Sequence, residues 1–300
     1  MATGNRIRIG VDLGGTKIEV IALDASGVEV FRHRVGTPQN YQDTLRAIRT
    51  LVELAEQQTN ATGTVGIGIP GTISPSTGLV QNANSTWLIG HALDRDVETL
   101  LGRTVRLMND ANCFTLSEAI DGAGRDASAV FGVILGTGVG GGIALDGKIV
   151  DGRQKIAGEW GHNPLPGPSD EERPGPKCYC GRHGCIETFL SGPGIERDHE
   201  VAVGITLSSH EIVSRASDGD AKAQATLDRY VDRLGRGLAS VINVLDPDIV
   251  VLGGGMSNIP SLADRARSAI RPHVFTDTMT TRVVSNVHGD SSGVRGAAWL

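Results

Sequence analysis

Aromatic residues are scarce in this sequence, 4% of 300, whereas glycine is abundant, at 41. With an ordinary apolar share of 39%, those glycines mean tight turns and close backbone approach rather than disorder. No apolar run approaches the roughly 18–20 residues of a membrane span. Met1 to Arg8 also lacks the apolar core of a signal peptide. There is no basic block either, and the net charge is −6, which argues against nucleic acid and against an anionic membrane as partners. Cysteines number four, three of them clustered, which reads as a metal site in a reducing compartment rather than a disulfide framework. A soluble cytoplasmic protein is the expectation. The length exceeds that of the commonest single-core domain and suits two lobes with a cleft between them.

Among what is present, the stretch Met108-Asn109-Asp110-Ala111-Asn112 stands out. It follows a strand-like run, Thr104 to Leu107, and opens a helix from Ala111 to Ile120 with Cys113, Leu116 and Ile120 as its apolar residues. A carboxylate at a helix N-terminus stays ionised, and an ionised Asp110 held by neighbouring hydrogen bonds could take a proton from a substrate hydroxyl. Asp110 also fits the plainer role of N-cap.

Two glycine turns follow strands. Ile7 to Val11 runs into Asp12-Leu13-Gly14-Gly15-Thr16-Lys17, and β-type residues resume from Ile18 to Leu23, so Gly14-Gly15 reads as a hairpin, either an ordinary one or one that cradles phosphate. The spacing is not that of a Walker P-loop, and a strand follows instead of a helix. Ala129 to Leu135 then runs into Gly136-Thr137-Gly138-Val139-Gly140-Gly141-Gly142. This matches Gly-x-Gly-x-x-Gly, but Ile143 to Val150 reads as strand and turn, so a dinucleotide fingerprint is rejected. The repetition points to two related phosphate-facing hairpins, one per lobe. A third strand end, Ile249 to Leu252, leads into Gly253-Gly254-Gly255, where a flat ligand such as a purine could approach.

Between these turns the helical pattern is clearest over Asn40 to Gln58, Asp94 to Leu101, Ser209 to Ala216, Asp220 to Leu245, Pro260 to Ile270 and Gly293 to Leu300. In the helix over Asp220 to Leu245, Gly235, Gly237 and Ala239 allow close packing. Thr64 to Ile69 and Arg282 to Val287 read as strands. The polar loop Gln81 to Trp87, with Asn84 and one tryptophan, has the chemistry of a sugar site and also that of an ordinary surface loop.

Cys178, Cys180 and Cys185 lie within eight positions, flanked by Gly181 and Gly184 that let the backbone wrap an ion. Three thiolates and one imidazole suit structural zinc. His162 is favoured as the fourth ligand, with His183 inside the knuckle as its competitor. Cys113, by contrast, reads as a small core residue.

Taken together, the stretches 12–17, 109–112, 135–142, 158–162, 178–187 and 253–255 resemble the ROK sugar kinases. Within that family, Asn82 to Trp87, Gly158 to Pro166 and the tail from His288 look most like bacterial fructokinases (mannokinases). The N-acetylglucosamine kinases follow closely, with glucokinase a further alternative. The resemblance implies a two-lobed α/β actin/hexokinase-like ATPase (ribonuclease H-like) fold with a zinc-binding loop. A smaller lobe would span 1–118, completed by a C-terminal helix at about 290–300, and a larger lobe 119–289 would hold the zinc knuckle, 162–187.

It also implies ATP-dependent phosphorylation of a hexose 6-hydroxyl, most of all that of fructose, with Asp110 as catalytic base. Asn84, Asn109, Glu159, His162 and Glu187 would bind the sugar, His162 while also ligating zinc with Cys178, Cys180 and Cys185. Gly14, Gly15, Thr16, Lys17, Thr137 and Gly138 would face the phosphates, and Gly253, Gly254 and Gly255 the adenosine. Mg2+ would bridge the phosphates, with Asp12 as an indirect anchor, and the family suggests a homodimer. The family's transcriptional repressors are a rival class. They carry an N-terminal DNA-binding domain, for which a first strand at Ile7 leaves no room.

Overall fold

Ile7, Ile9, Val11 and Leu13 recur at every second position and are all buried, as one face of a strand packed on a core requires. The computed structural model describes residues 7–83 and 85–300. In chain order, β1 (Ile7–Leu13), β2 (Lys17–Leu23), β3 (Glu29–Gly36), α1 (Tyr41–Thr59), β4 (Gly63–Ile69), β5 (Thr72–Ile73), β6 (Val80–Gln81), α2 (Leu93–Leu101), β7 (Val105–Asn109) and α3 (Asp110–Ile120) come first. They are followed by β8 (Ala129–Leu135), β9 (Val139–Leu145), β10 (Lys148–Ile149), α4 (Glu187–Leu190), α5 (Gly192–Val203), α6 (Ser209–Ser217) and α7 (Ala221–Leu245). The chain closes with β11 (Ile249–Gly253), α8 (Leu262–Ile270), β12 (Arg282–Ser285) and α9 (Ser292–Trp299). No described helix is long and apolar enough to cross a membrane.

The chain divides into two units. The first holds the described residues up to Arg125, Gly147–Ala157 and Asp290–Leu300, and the second holds Asp126–Asp146 and Gly158–Gly289. In the first, the sheet order is β3-β2-β1-β4-β7, with β1, β2 and β3 antiparallel in turn and β4 and β7 parallel to β1. In the second, the strands run β9-β8-β11-β12, again an antiparallel pair followed by two parallel additions. Each unit therefore contains the same device, a glycine-turn hairpin whose first strand is extended by parallel neighbours. This is the hexokinase-like α/β fold with mixed sheets.

Glycine sets how closely α9 approaches the first sheet. A Cβ on Gly10 would lie 2.2 Å from the Val294 carbonyl, and one on Gly66 would lie 2.0 Å from that of Ala297. A Cβ on Gly296 would lie 1.6 Å from the Cys113 carbonyl, on the helix that begins with Asp110. Backbone cannot yield to such contacts without a shift of the helix. Gly296→Ala is expected to destabilise the protein by about 3 kcal/mol, the upper end of overpacking costs, read as a lowered urea midpoint. An unchanged midpoint would show that α9 is free to move.

In the second unit, the proline-rich loop from Pro164 to Pro176 is an ordered strap. Leu165 is buried and its N–H donates to the Gly184 carbonyl at 2.9 Å. Arg236 donates to the carbonyls of Pro166 and Gly167, at 2.9 and 3.0 Å. Glu172 accepts from Arg233 at 2.7 Å and from Arg236 at 2.9 Å, and Arg233 also meets Asp198 at 2.7 Å. Burial by itself would raise the Glu172 carboxyl, but Arg236 and then Arg233 outweigh it and hold it down at about 2. Its folded pKa lies below its unfolded value, so its stabilisation is complete above about pH 4.5 and is lost as pH falls towards 2. The stability gap between the wild type and Glu172→Gln should therefore narrow over that window. A gap independent of pH in acid melts would contradict the ion-pair account.

The sequence places several boundaries within a residue or two. It assigns nothing to α5, whose start is marked by the Ser191 side chain accepting from Gly194 N–H, with proline in the first turn. It also ends the strand before Asp110 at Leu107, whereas β7 continues to Asn109 and α3 starts directly at Asp110.

Candidate active site and metal centre

Asp110 sits at the junction of β7 and α3, where a parallel strand hands over to a helix N-terminus. Its Oδ1 accepts from the Ala111 N–H at 2.8 Å. The cap of α3 is Asn109 and not Asp110: the Asn109 Oδ1 accepts from Ala111 N–H at 2.9 Å and Asn112 N–H at 3.4 Å. Its amide also donates to the Gly71 carbonyl at 3.2 Å. Relieved of capping, Asp110 is the first helical residue and is solvent-exposed, with the positive end of the helix beside it.

The neighbouring carboxylate is Asp12, near the end of β1. Burial first, then Asp110 and Glu19, push it up to about 7, against the opposing charges of Lys17 and Arg34. Glu19 faces it across the hairpin and is itself held by Arg34 at 2.7 Å. The turn between them is closed by Gly14 N–H donating to the Lys17 carbonyl at 3.0 Å, which leaves Gly15 and Thr16 exposed at its tip. Two braces of this turn are invisible in the local sequence. The Thr37 hydroxyl donates to the Gly14 carbonyl at 2.7 Å, and the Gln39 amide donates to that of Gly15 at 3.2 Å. Both come from beyond β3, so only strand pairing brings them here.

The second unit repeats the turn. Gly136 N–H donates to the Gly138 carbonyl at 2.9 Å, with Thr137 exposed at the tip. Glu187 opens α4, and its Oε2 accepts from the Val139 N–H at 3.0 Å. A Cβ on Gly138 would come within 2.7 Å of that oxygen, so a side chain there would push the Glu187 carboxylate off its bond to Val139. Glu187→Gln keeps the size but weakens the bond to Val139. We expect it to cost about 1–2 kcal/mol of local stability, seen as faster amide exchange at Val139. Unchanged exchange would leave the bond without consequence.

Glu159 and His162 flank a buried anchor, Trp160, whose indole N–H donates to the Gly140 carbonyl at 3.0 Å. The Trp160 ring meets Phe131 edge-on, with centroids 5.8 Å apart. The Glu159 carboxyl reaches solvent yet lies above its ordinary range; partial desolvation leads, His162 opposes it and Glu187 adds to it. Glu159 thus lies near both His162 and Glu187, residues that the family resemblance groups with it.

His162, Cys178, Cys180 and Cys185 converge, their ligand atoms all within 4.8 Å of one another. The Cys178 Sγ lies 3.6 Å from His162 Nδ1, and the sulfurs of Cys180 and Cys185 are 3.6 Å apart. A disulfide needs about 2.05 Å, whereas a tetrahedron with Zn–S near 2.3 Å has edges of roughly 3.7 Å. The donor set therefore fits a four-coordinate zinc. Among the described residues the cluster contains His162 and not His183, which is exposed and pairs with Lys177 in a short bridge. The Cys180 thiol is drawn down to about 6, chiefly by its hydrogen bond with Arg182, so it readily offers a thiolate.

Two other expectations fare differently. Asn84 lies outside the described residues. Gly253 ends β11, and Gly254 has φ +81, where a Cβ would lie 2.5 Å from the Leu135 carbonyl. Packing against β8 thus accounts for Gly254 without any ligand, while Gly255 has open space around it.

A model described as the ROK family matches residues 8–300. N-acetyl-D-glucosamine kinase of Pectobacterium atrosepticum is 40% identical over 296 residues, 97% of each chain. Among solved structures, a ROK hexokinase from Thermus thermophilus superposes with a TM-score of 0.86 at 30% identity, over 97% of this chain and 96% of that one. A ROK glucokinase from Streptomyces griseus, in complex with glucose and AMPPNP, gives 0.79 at 29% identity, over 97% and 98%. With glycine hairpins, a helix-start aspartate and a Cys3His cluster matched end to end by such relatives, this chain belongs to the ROK family, on its sugar-kinase side.

Proposed function

We propose that this protein transfers the γ-phosphoryl group of ATP to the 6-hydroxyl of a hexose, with N-acetylglucosamine as the favoured substrate. Motif resemblance put fructose first. The 40% identity to a kinase named for N-acetyl-D-glucosamine, sustained over 97% of both chains, supports the other order and carries the reading. Asp110 accepts the proton of the 6-hydroxyl as that oxygen bonds to the γ-phosphorus, and ADP leaves with the electrons of the broken P–O bond. Phosphoryl transfer asks mainly for positioning and charge stabilisation, and the parts it needs are a base, donors around the phosphates and a cation.

In this reading the turns at Gly14-Gly15-Thr16-Lys17 and at Thr137-Gly138 face the phosphates, and Gly253-Gly254-Gly255 the adenosine. Mg2+ supplies charge neutralisation, with Asp12 as its indirect anchor; a cation there would offset the cost of ionising Asp12. Asn84, Asn109, Glu159, His162 and Glu187 hold sugar hydroxyls. Zinc, held by His162, Cys178, Cys180 and Cys185, fixes the segment carrying Glu187. The protein acts in the cytoplasm as a homodimer, which light scattering would test.

The deciding experiment is an ATP-coupled assay across N-acetylglucosamine, glucose, mannose and fructose. The expected outcome is the highest kcat/KM for N-acetylglucosamine. A fructose preference would restore the fructokinase reading, and no turnover on any of the four would remove the kinase reading itself.

A further inference from the structure

Tyr179 separates two metal-binding cysteines and is 79% exposed, so packing does not explain where its ring lies. Its hydroxyl is 2.8 Å from His162 Nε2, and the two rings meet edge to face at 84° with centroids 5.0 Å apart. The opposite nitrogen of the same imidazole, Nδ1, faces Cys178 Sγ at 3.6 Å. One ring nitrogen therefore points into the sulfur cluster while the other is held from outside.

We propose that Tyr179 is a positioning residue of the metal centre, its hydroxyl fixing the orientation and tautomer of His162 so that Nδ1 presents its lone pair to the metal. This rests on the zinc reading of the cluster. A neutral imidazole carries one N–H, and ligation through Nδ1 requires that proton to be on Nε2. Nε2–H then needs an acceptor, which the Tyr179 oxygen provides. Ligating histidines commonly bond through the second nitrogen to a carboxylate, carbonyl or water, and here a phenol fills that place. The turn that delivers the Cys178 and Cys180 sulfurs also delivers the phenol, because Tyr179 is the one residue between them. The bond also engages the nitrogen of His162 that is left once Nδ1 ligates. A sugar hydroxyl that binds His162 takes the place of the Tyr179 hydroxyl at Nε2, so the positioning contact belongs to the sugar-free protein.

The test uses the full-length zinc-loaded protein and Tyr179→Phe, which keeps the ring and deletes only the hydroxyl. Zinc content is measured first, then the rate of zinc loss to a chromogenic chelator without sugar or ATP, then the visible spectrum after cobalt exchange. Outer-shell partners typically tune metal affinity 10–100-fold, so zinc loss should be at least about 10-fold faster in the variant, with shifted cobalt bands. Equal loss rates and superimposable spectra would overturn the proposal. A wild type that binds no zinc would instead remove the metal reading, and the proposal with it, before the variant is compared. No phosphorylation result bears on either outcome, so failure of the kinase reading would be seen separately.

Discussion

Asp110→Asn is expected to cut phosphorylation by about 10²- to 10⁴-fold while hexose binding stays within a few-fold of wild type. The substitution keeps size and the hydrogen bond to the Ala111 N–H, because an amide oxygen accepts there as the carboxylate does. It removes the ability to take a proton, together with the negative charge that helps to raise the neighbouring Asp12. General-base catalysis is typically worth about 10²- to 10⁴-fold, so kcat should fall by that range. Stability should hardly change, since the cap of α3 is Asn109 and Asp110 is exposed. Turnover by coupled assay and sugar affinity by calorimetry check the two halves separately. Near-normal kcat would remove Asp110 as base. Lost sugar binding would make it a binding residue instead. Asn109→Ala should instead destabilise α3 by about 1 kcal/mol through loss of the cap and weaken sugar binding as well.

Cys185→Ser is expected to abolish zinc binding at the Cys3His cluster and to remove activity without unfolding the protein. Cys185 is buried, and the chain on either side of it is tied to the rest of the second unit. Pro164 bridges to it, Ile186 N–H donates to the Asn163 carbonyl at 2.9 Å, and Glu187 follows immediately. Glu187 in turn holds Val139 and the glycine turn. Loss of one sulfur thus reaches the Thr137-Gly138 turn through three residues. Structural zinc in small domains contributes on the order of 10–16 kcal/mol of apparent binding energy, and there its removal unfolds everything. Here Phe131, Leu190, Leu234 and Leu252 belong to an apolar cluster in the same unit, so unfolding stays local. Zinc analysis should fall from about one per chain to near zero. Limited proteolysis should then cut between 164 and 187 while the bulk melting transition survives. Full activity in metal-free protein would show that the cluster has no part in the site.

Much of this was legible because the signals are local. The hairpin at Gly14-Gly15 and the helix from residue 41 follow from glycine placement and a 3.6-residue apolar rhythm, both of which act within a few residues. The Cys-x-Cys-x4-Cys run is as local. Less legible were contacts made across strands and loops: Thr37 and Gln39 bracing the first turn, Arg233 and Arg236 pinning the strap, Tyr179 against His162. Nothing in the neighbourhood of Tyr179 distinguishes it from a spacer between ligands.

The sequence by itself determined that the chain has two glycine hairpins and one metal-type cluster, because turn chemistry and ligand spacing are set by adjacent residues. It also singled out Asp110, Glu159, His162 and Glu187. Tertiary structure decided which of two candidate residues does each job. Asn109 caps α3 because β7 runs two residues further than its apolar pattern, and this makes Asp110 the first residue of the helix. His162 joins the cysteines because Trp160 anchors its segment to β9, while His183 is turned outward by its bridge to Lys177. Gly254 is small because Leu135 lies against it. Each of these depends on which distant backbone lies within a few ångströms, and no pattern along the chain encodes that distance.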